Sequence, residues 1–191
     1  MAHDDSADDS ASWKVLSSET VLRAVTYDVS RDRVRVPTGK ELDYFVVRAR
    51  RDAASIVATD DDGVGGGGRI LLVQQWRHTI QKLIWEIPAG AIDPGELPLD
   101  AAVRELREES GYEVDAARVA PLYTYHPAVG SMNVAFHVFH GRGLKKIGTH
   151  DPAEIHAVRL FERSEIEAML ARTEIVDGMS LTALMMWMRK G

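Results

Sequence analysis

Apolar and polar positions change rhythm along the chain. Val21–Val29, Val34–Val36 and Leu42–Val47 are rich in β-favouring residues, with Pro37-Thr38-Gly39-Lys40 between the last two. This pattern predicts an antiparallel strand unit reversed by a turn. Ser55–Thr59 and Arg69–Gln75 predict a second hairpin across the loop Asp60–Gly68, and Leu83–Ile87 predicts another strand. No helix start and no Lys-Ser/Thr pair follow the glycines of that loop, so it is read as a flexible connection rather than a phosphate cradle. From residue 98 the spacing becomes helical. Leu99, Ala102, Val103 and Leu106 form one apolar stripe, Pro98 suits a first turn, and Gly111 suits a C-terminal stop. A helix over Pro98–Ser110 follows. Val114–Tyr125, Val134–His140 and Ile155–Phe161 predict further strands, and Arg163–Arg172 and Ser180–Arg189 predict helices. The sum is an α+β chain with a mixed sheet covered by helices.

Composition narrows what such a chain does. With 191 residues, 45% of them apolar, it suits one globular domain plus a small accessory piece. Residues 1–12 read as a disordered acidic tail, 13–52 as an N-terminal β unit and 53–191 as the main domain. The absence of cysteine excludes disulfides, zinc–thiolate sites and Cys nucleophiles, and fits a reducing cytoplasm. No apolar run approaches the roughly 18 residues of a membrane span. The first ten residues lack the apolar stretch of a signal peptide. A net charge of −6 argues against nonspecific nucleic-acid binding. It also repels a phosphate substrate unless positive charge is supplied locally.

The helix carries the candidate chemistry. Glu105, Glu108 and Glu109 stand three and four residues apart, so they share one face. Like charges at that spacing oppose one another, and acids in a last turn oppose the helix dipole. A hard cation, Mg2+ or Mn2+, would compensate both. An ordinary solvated acidic face, with Arg104 and Arg107 as partners, is the competing reading.

The surrounding spacing decides between them. Gly90 is followed after five residues by Glu96, and seven residues later by Arg104-Glu105-Leu106-Arg107-Glu108-Glu109-Ser110-Gly111-Tyr112. This resembles the Nudix box at every fixed position, with Tyr112 where an aliphatic is commoner. The resemblance implies the Nudix fold, a mixed β-sheet sandwiched between helices, and metal-assisted cleavage of a diphosphate. It implies metal ligation by Glu105 and Glu109, with Glu108 as a variable third ligand and the Ala89 carbonyl joining them. It also implies that Arg104 and Glu96 lock the loop to the helix.

The flanks extend the likeness over roughly Val34 to the end. Leu71-Leu72-Val73-Gln74-Gln75-Trp76-Arg77, Trp85-Glu86-Ile87-Pro88-Ala89-Gly90, Pro127 and the segment around Glu174–Leu184 are similar to ADP-ribose pyrophosphatases. That branch implies Arg77 on substrate phosphate, which a guanidinium grips as a fork. Glu86 is open to a role at the substrate, at the metal or in structural pairing. Trp76 and Trp85 are open to core packing or to stacking on a base. The branch's general base is an acid in a downstream loop; here Glu154 is the first candidate and Asp151 the second. Asn133 stands near where relatives often carry an acid, which leaves other nucleoside diphosphate sugars open. The branch also pairs through N-terminal strands, implying a homodimer through Val21–Arg50.

The reading is thus an enzyme that splits ADP-ribose or a related nucleoside diphosphate sugar into two monophosphates. Two alternatives compete with it. A Nudix-fold isopentenyl diphosphate isomerase leans on a cysteine this chain lacks. A sensor module tends to lose box acids, and here all are present.

Overall fold

The computed structural model describes residues 11–61 and 68–190. Most of the expected tail 1–12, and the glycine stretch of the 60–68 loop, lie outside those residues. The chain divides into two compact units.

The first unit holds residues up to Arg50 together with Ala128–Val134. It is an antiparallel sheet of β1 (Lys14–Arg23), β2 (Tyr27–Arg35) and β3 (Glu41–Ala49), with β2 in the middle. The Pro37–Lys40 turn forms as expected, with Gly39 at φ 82° and Val36 N–H donating to the Lys40 carbonyl at 3.0 Å. The expected strand Val21–Val29 is instead divided between β1 and β2, and Ala24 N–H closes the reversal onto the Tyr27 carbonyl at 2.9 Å. Val25 and Thr26 carry β-favouring side chains at a bend, so residue type alone did not mark it. Opposite charges face each other across the strands: Glu19 with Arg31, Asp43 with Arg33, Glu41 with Arg35. Asn133 serves the backbone here, its Oδ1 accepting from Ala49 N–H at 2.8 Å.

The second unit covers Arg51–Pro127 and Ala135–Gly191. Its strands are β4 (Ala53–Thr59), β5 (Ile70–Arg77), β6 (Lys82–Glu86), β7 (Ala89–Ala91), β8 (Tyr112–Glu113), β9 (Val119–Tyr125), β10 (Phe136–Arg142), β11 (Lys145–Lys146) and β12 (Ile155–Phe161). Its helices are α1 (Pro98–Ser110), α2 (Arg163–Ala171) and α3 (Gly178–Met188). The main sheet runs β12-β5-β4-β10-β9, with β6 on β5 and β7 on β4. β4 and β10 are parallel and the other pairs antiparallel, so the sheet is mixed.

Alternation builds two cores from the same strands. Ala54, Ile56, Ala58, Leu71 and Val73 pack with Ala101, Ala102 and Leu106 of α1. Val57, Ile70 and Leu72 face the other way, onto Ile166 of α2 and Ala183 and Leu184 of α3. Strands covered on both faces read as continuous apolar runs, as β4 and β5 do. No helix among the described residues is long and apolar enough to cross a membrane.

Three boundaries differ from expectation. Asp115 breaks Val114–Tyr125 by accepting from Ala117 N–H at 3.0 Å and starting a short 3-10 turn, so β9 begins only at Val119. β10 lies at Phe136–Arg142 rather than Val134–His140. Its register follows the parallel partner β4, which hydrophobicity does not specify. α3 starts earlier than expected, because Asp177 caps it by accepting from Ser180 N–H at 2.7 Å.

Candidate active site

α1 presents its acids beside β7. Pro98 starts the helix, and Gly111 ends it at φ 71°, its N–H donating to the Arg107 carbonyl. Gly111 is also closely approached: a Cβ there would lie 2.7 Å from the Gly148 carbonyl carbon. The Gly111 carbonyl accepts from Ile147 N–H at 2.9 Å and Gly148 N–H at 3.0 Å. The end of the helix is thereby tied to the start of the loop carrying His150, Asp151 and Glu154. Between helix and loop lies a cleft of about 570 Å³, lined by Glu105, Glu108, Glu109, Asp151 and Glu154 among others.

Glu109 is the buried acid of the group, 9% exposed. Its Oε1 accepts from Gln75 Nε2 at 2.8 Å and its Oε2 from Ala89 N–H at 3.0 Å. Burial pushes its carboxyl up to about 7, and these two neutral donors offset only part of that. Glu105 is raised in the same direction by burial, although Arg104 Nη1 donates to it at 2.7 Å. Glu108 is exposed and accepts from Arg104 Nη1 at 3.1 Å. Gly90 explains itself at this point. A Cβ on it would come within 2.0 Å of Glu105 Oε1, so any other residue there would push that carboxylate out of its present place.

Arg104 and Glu96 are brought together as a fork. Arg104 Nε and Nη2 donate to the two Glu96 oxygens at 2.9 and 3.0 Å, and Nη2 also donates to the Ala91 carbonyl at 3.0 Å. The guanidinium, helped by Asp93 N–H, holds the Glu96 carboxyl down at about 2; Glu96 in turn raises Arg104. The pair bolts the loop after β7 to α1.

Other candidates are placed differently. Arg77 turns its fork onto Glu86, which is 3% exposed, with Nε donating to Oε1 at 2.7 Å. Removing that arginine would leave the buried Glu86 carboxylate without its charged partner. Trp76 is exposed at the end of β5, whereas Trp85 packs edge-on against Phe161 with ring centres 4.9 Å apart. Pro127 lies in an exposed turn after β9 and is not among the residues lining the cleft.

Gln75 is the residue that the motif left without a role. Its strand position pairs with Ile155, directly after Glu154, while its amide holds Glu109. Its sequence clue was its place before Trp76 and Arg77, just beyond the apolar run Ile70–Val73.

A NUDIX domain family model matches residues 49–179. The chain belongs to the Nudix family. It is a hydrolase of the Nudix pyrophosphatase type. It is 32% identical over 178 residues to an ADP-ribose pyrophosphatase of Mycobacterium tuberculosis, covering 91% of this chain and 82% of the relative. It is 30% identical over 133 residues to a methanol dehydrogenase activator of Bacillus methanolicus, covering 70% and 68%. The crystal structure of an ADP compounds hydrolase matches 93% of this chain and 92% of its own with a TM-score of 0.80. At 20% identity that likeness shows the Nudix fold alone.

The donor set of this Nudix site suits a hard cation. Among the described residues no three His, Asp or Glu side chains already converge as a cage. The reason is visible in the contacts: Glu105 and Glu108 are drawn to Arg104, and both Glu109 oxygens are held by N–H groups. Yet Glu105 and Glu109 are carboxylates whose ionised forms burial disfavours, next to a glycine that leaves space at the Glu105 oxygens. A divalent cation is what such a pair accommodates.

Proposed function

We propose that this protein hydrolyses the diphosphate linkage of ADP-ribose or a related nucleoside diphosphate sugar, giving two monophosphates, with Mg2+ or Mn2+ as cofactor. The observation that carries the reading is Glu109, a buried carboxyl pushed up to about 7 at the wall of an acidic cleft. The ADP-ribose pyrophosphatase relative supports the substrate class. Glu105, Glu109, Glu108 and the Ala89 carbonyl would hold the cation. When bound, it supplies charge neutralisation at phosphate oxygens and acidifies water. Arg104 and Glu96 keep the end of β7 and the loop after it fixed against α1, so the acids stay in place through turnover. Water adds to one phosphorus, its proton passes to the loop acid, and the bridging P–O bond breaks to release the second monophosphate.

Glu154 is the preferred base. Asp151 spends Oδ1 on its own turn, accepting from Ala153 N–H at 2.8 Å. Among the described residues the Glu154 side chain makes no hydrogen bond or ion pair, and it lines the same cleft. Glu154→Gln should therefore slow turnover more than Asp151→Asn. A panel of nucleoside diphosphate derivatives assayed with magnesium or manganese tests the whole reading. Turnover of none of them would leave a binding module instead.

A cytoplasmic homodimer completes the proposal. The ten residues of β1 are all exposed at a sheet edge, and Trp13, Val15 and Phe45 are at least half exposed. A monomer mass by light scattering at micromolar concentration would remove the dimer.

A further inference from the structure

A diphosphate entering the cleft meets five carboxylates: Glu105, Glu108, Glu109, Asp151 and Glu154. A cation held by the helix acids would balance part of that charge. Phosphate oxygens turned away from the helix acids still need donors from the protein. The arginines that the motifs single out do not offer them. Arg104 spends all three nitrogens on Glu96, Glu105, Glu108 and the Ala91 carbonyl. Arg77 is closed onto buried Glu86 and is not among the residues lining the cleft.

Arg107 is different. It lines the cleft, and its side-chain partner among the described residues is Glu113 at 3.5 Å, at the outer limit of a hydrogen bond. Both members of that contact are solvent-exposed, so the pair is weak and exchangeable. On the opposite wall the loop contributes His150. Arg107 and His150 are the two residues lining the cleft that can carry positive charge, and they approach it from different elements.

We propose that Arg107 and His150 form the phosphate grip of this enzyme, which makes a variable position inside the Nudix box a determinant of substrate affinity. The proposal rests on the diphosphate reading above. It assigns Arg107 to binding rather than to the chemical step, because its guanidinium contacts Glu113 and not the box acids.

The test uses the full chain and two probes. One is KM and kcat for ADP-ribose with magnesium. The other is calorimetric binding of α,β-methylene ADP, a diphosphate that is not turned over. Arg107→Ala should raise KM and weaken analogue binding about tenfold, with kcat within about twofold, the loss expected for one charge-assisted contact. Arg107→Lys should recover part of the affinity, and added salt should shrink the difference between wild type and Arg107→Ala. His150→Gln should give a smaller change in the same direction. A merely structural Arg107 would instead lower the melting temperature and leave KM in place, which overturns the proposal. So does unchanged analogue binding in Arg107→Ala. If the wild type binds the analogue but cleaves no nucleoside diphosphate sugar, the catalytic reading fails while the grip is still decided by the binding arm. If the wild type binds no analogue, the grip is overturned.

Discussion

Asp32 and Glu109 are both buried carboxylates, 4% and 9% exposed, and their surroundings are opposite. Asp32 sits in the N-terminal sheet, accepting from Arg48 Nη2 at 2.6 Å and from Ser18 Oγ at 2.5 Å. Its charge has a cation built into the fold. Glu109 has an amide and a backbone N–H, and among the described residues no guanidinium or ammonium donates to it. A buried ion pair is balanced within the fold, whereas a buried carboxylate bonded to neutral donors is balanced by taking up a proton or, in the proposed function, a cation. Both oxygens of Glu109 are oriented by the protein.

The largest way to break this comparison is Glu109→Gln. The side chain keeps its shape and loses its charge. Magnesium-dependent turnover should nearly vanish while the fold is retained, and unchanged turnover would remove Glu109 from the metal set. The same variant isolates a pH effect on stability. The folded carboxyl stands at about 7, above its ordinary 4.5, so the folded state keeps a proton that the unfolded chain has lost. That stabilisation is full below pH 4.5 and is lost as pH rises through 7. Metal-free protein should therefore lose about 3 kcal/mol between these limits, at about 1.4 kcal/mol for each pH unit. Glu109→Gln should remove this component from denaturant titrations across that range. Added magnesium should bind more tightly as pH rises through 7, since it competes with the proton.

Gln75→Leu comes next. It removes one of the two donors that orient Glu109 and leaves a similar volume. Metal affinity, measured by manganese binding, should fall about 10- to 100-fold, as for other groups that orient a ligand. Asp32→Asn is the smallest. It weakens the contact with Arg48, itself half exposed, and should cost about 1–2 kcal/mol in denaturant unfolding with no change in manganese affinity. A metal effect from Asp32→Asn comparable to that of Gln75→Leu would erase the distinction between the two carboxylates.

Much of the main domain was legible because periodicity is local. Leu99, Ala102, Val103 and Leu106 marked α1 to its last residue, and the runs around Ile56 and Leu72 marked strands buried on both faces. The N-terminal unit was less legible. Lys14–Ser18 is strand although only Val15 and Leu16 in it are apolar, and the bend after Arg23 carries β-favouring residues without glycine or proline. Cross-strand ion pairs organise that sheet, and pairing between distant residues leaves no period in a single sequence. The turn at Asp115 and the cap at Asp177 depend on a side chain bonding a particular N–H, which composition only suggests.

The sequence alone determined the box spacing, hence the shared face of Glu105, Glu108 and Glu109, because helical geometry converts separation along the chain into direction. Tertiary structure alone decided what surrounds those acids. Gln75 reaches Glu109 from β5, Arg77 closes on Glu86 from the neighbouring strand, and the Gly111–Gly148 contact sets the loop with Asp151 and Glu154 across the cleft. Burial and long-range pairing set the charge balance of a carboxylate, and neither is written at the carboxylate's own position in the chain.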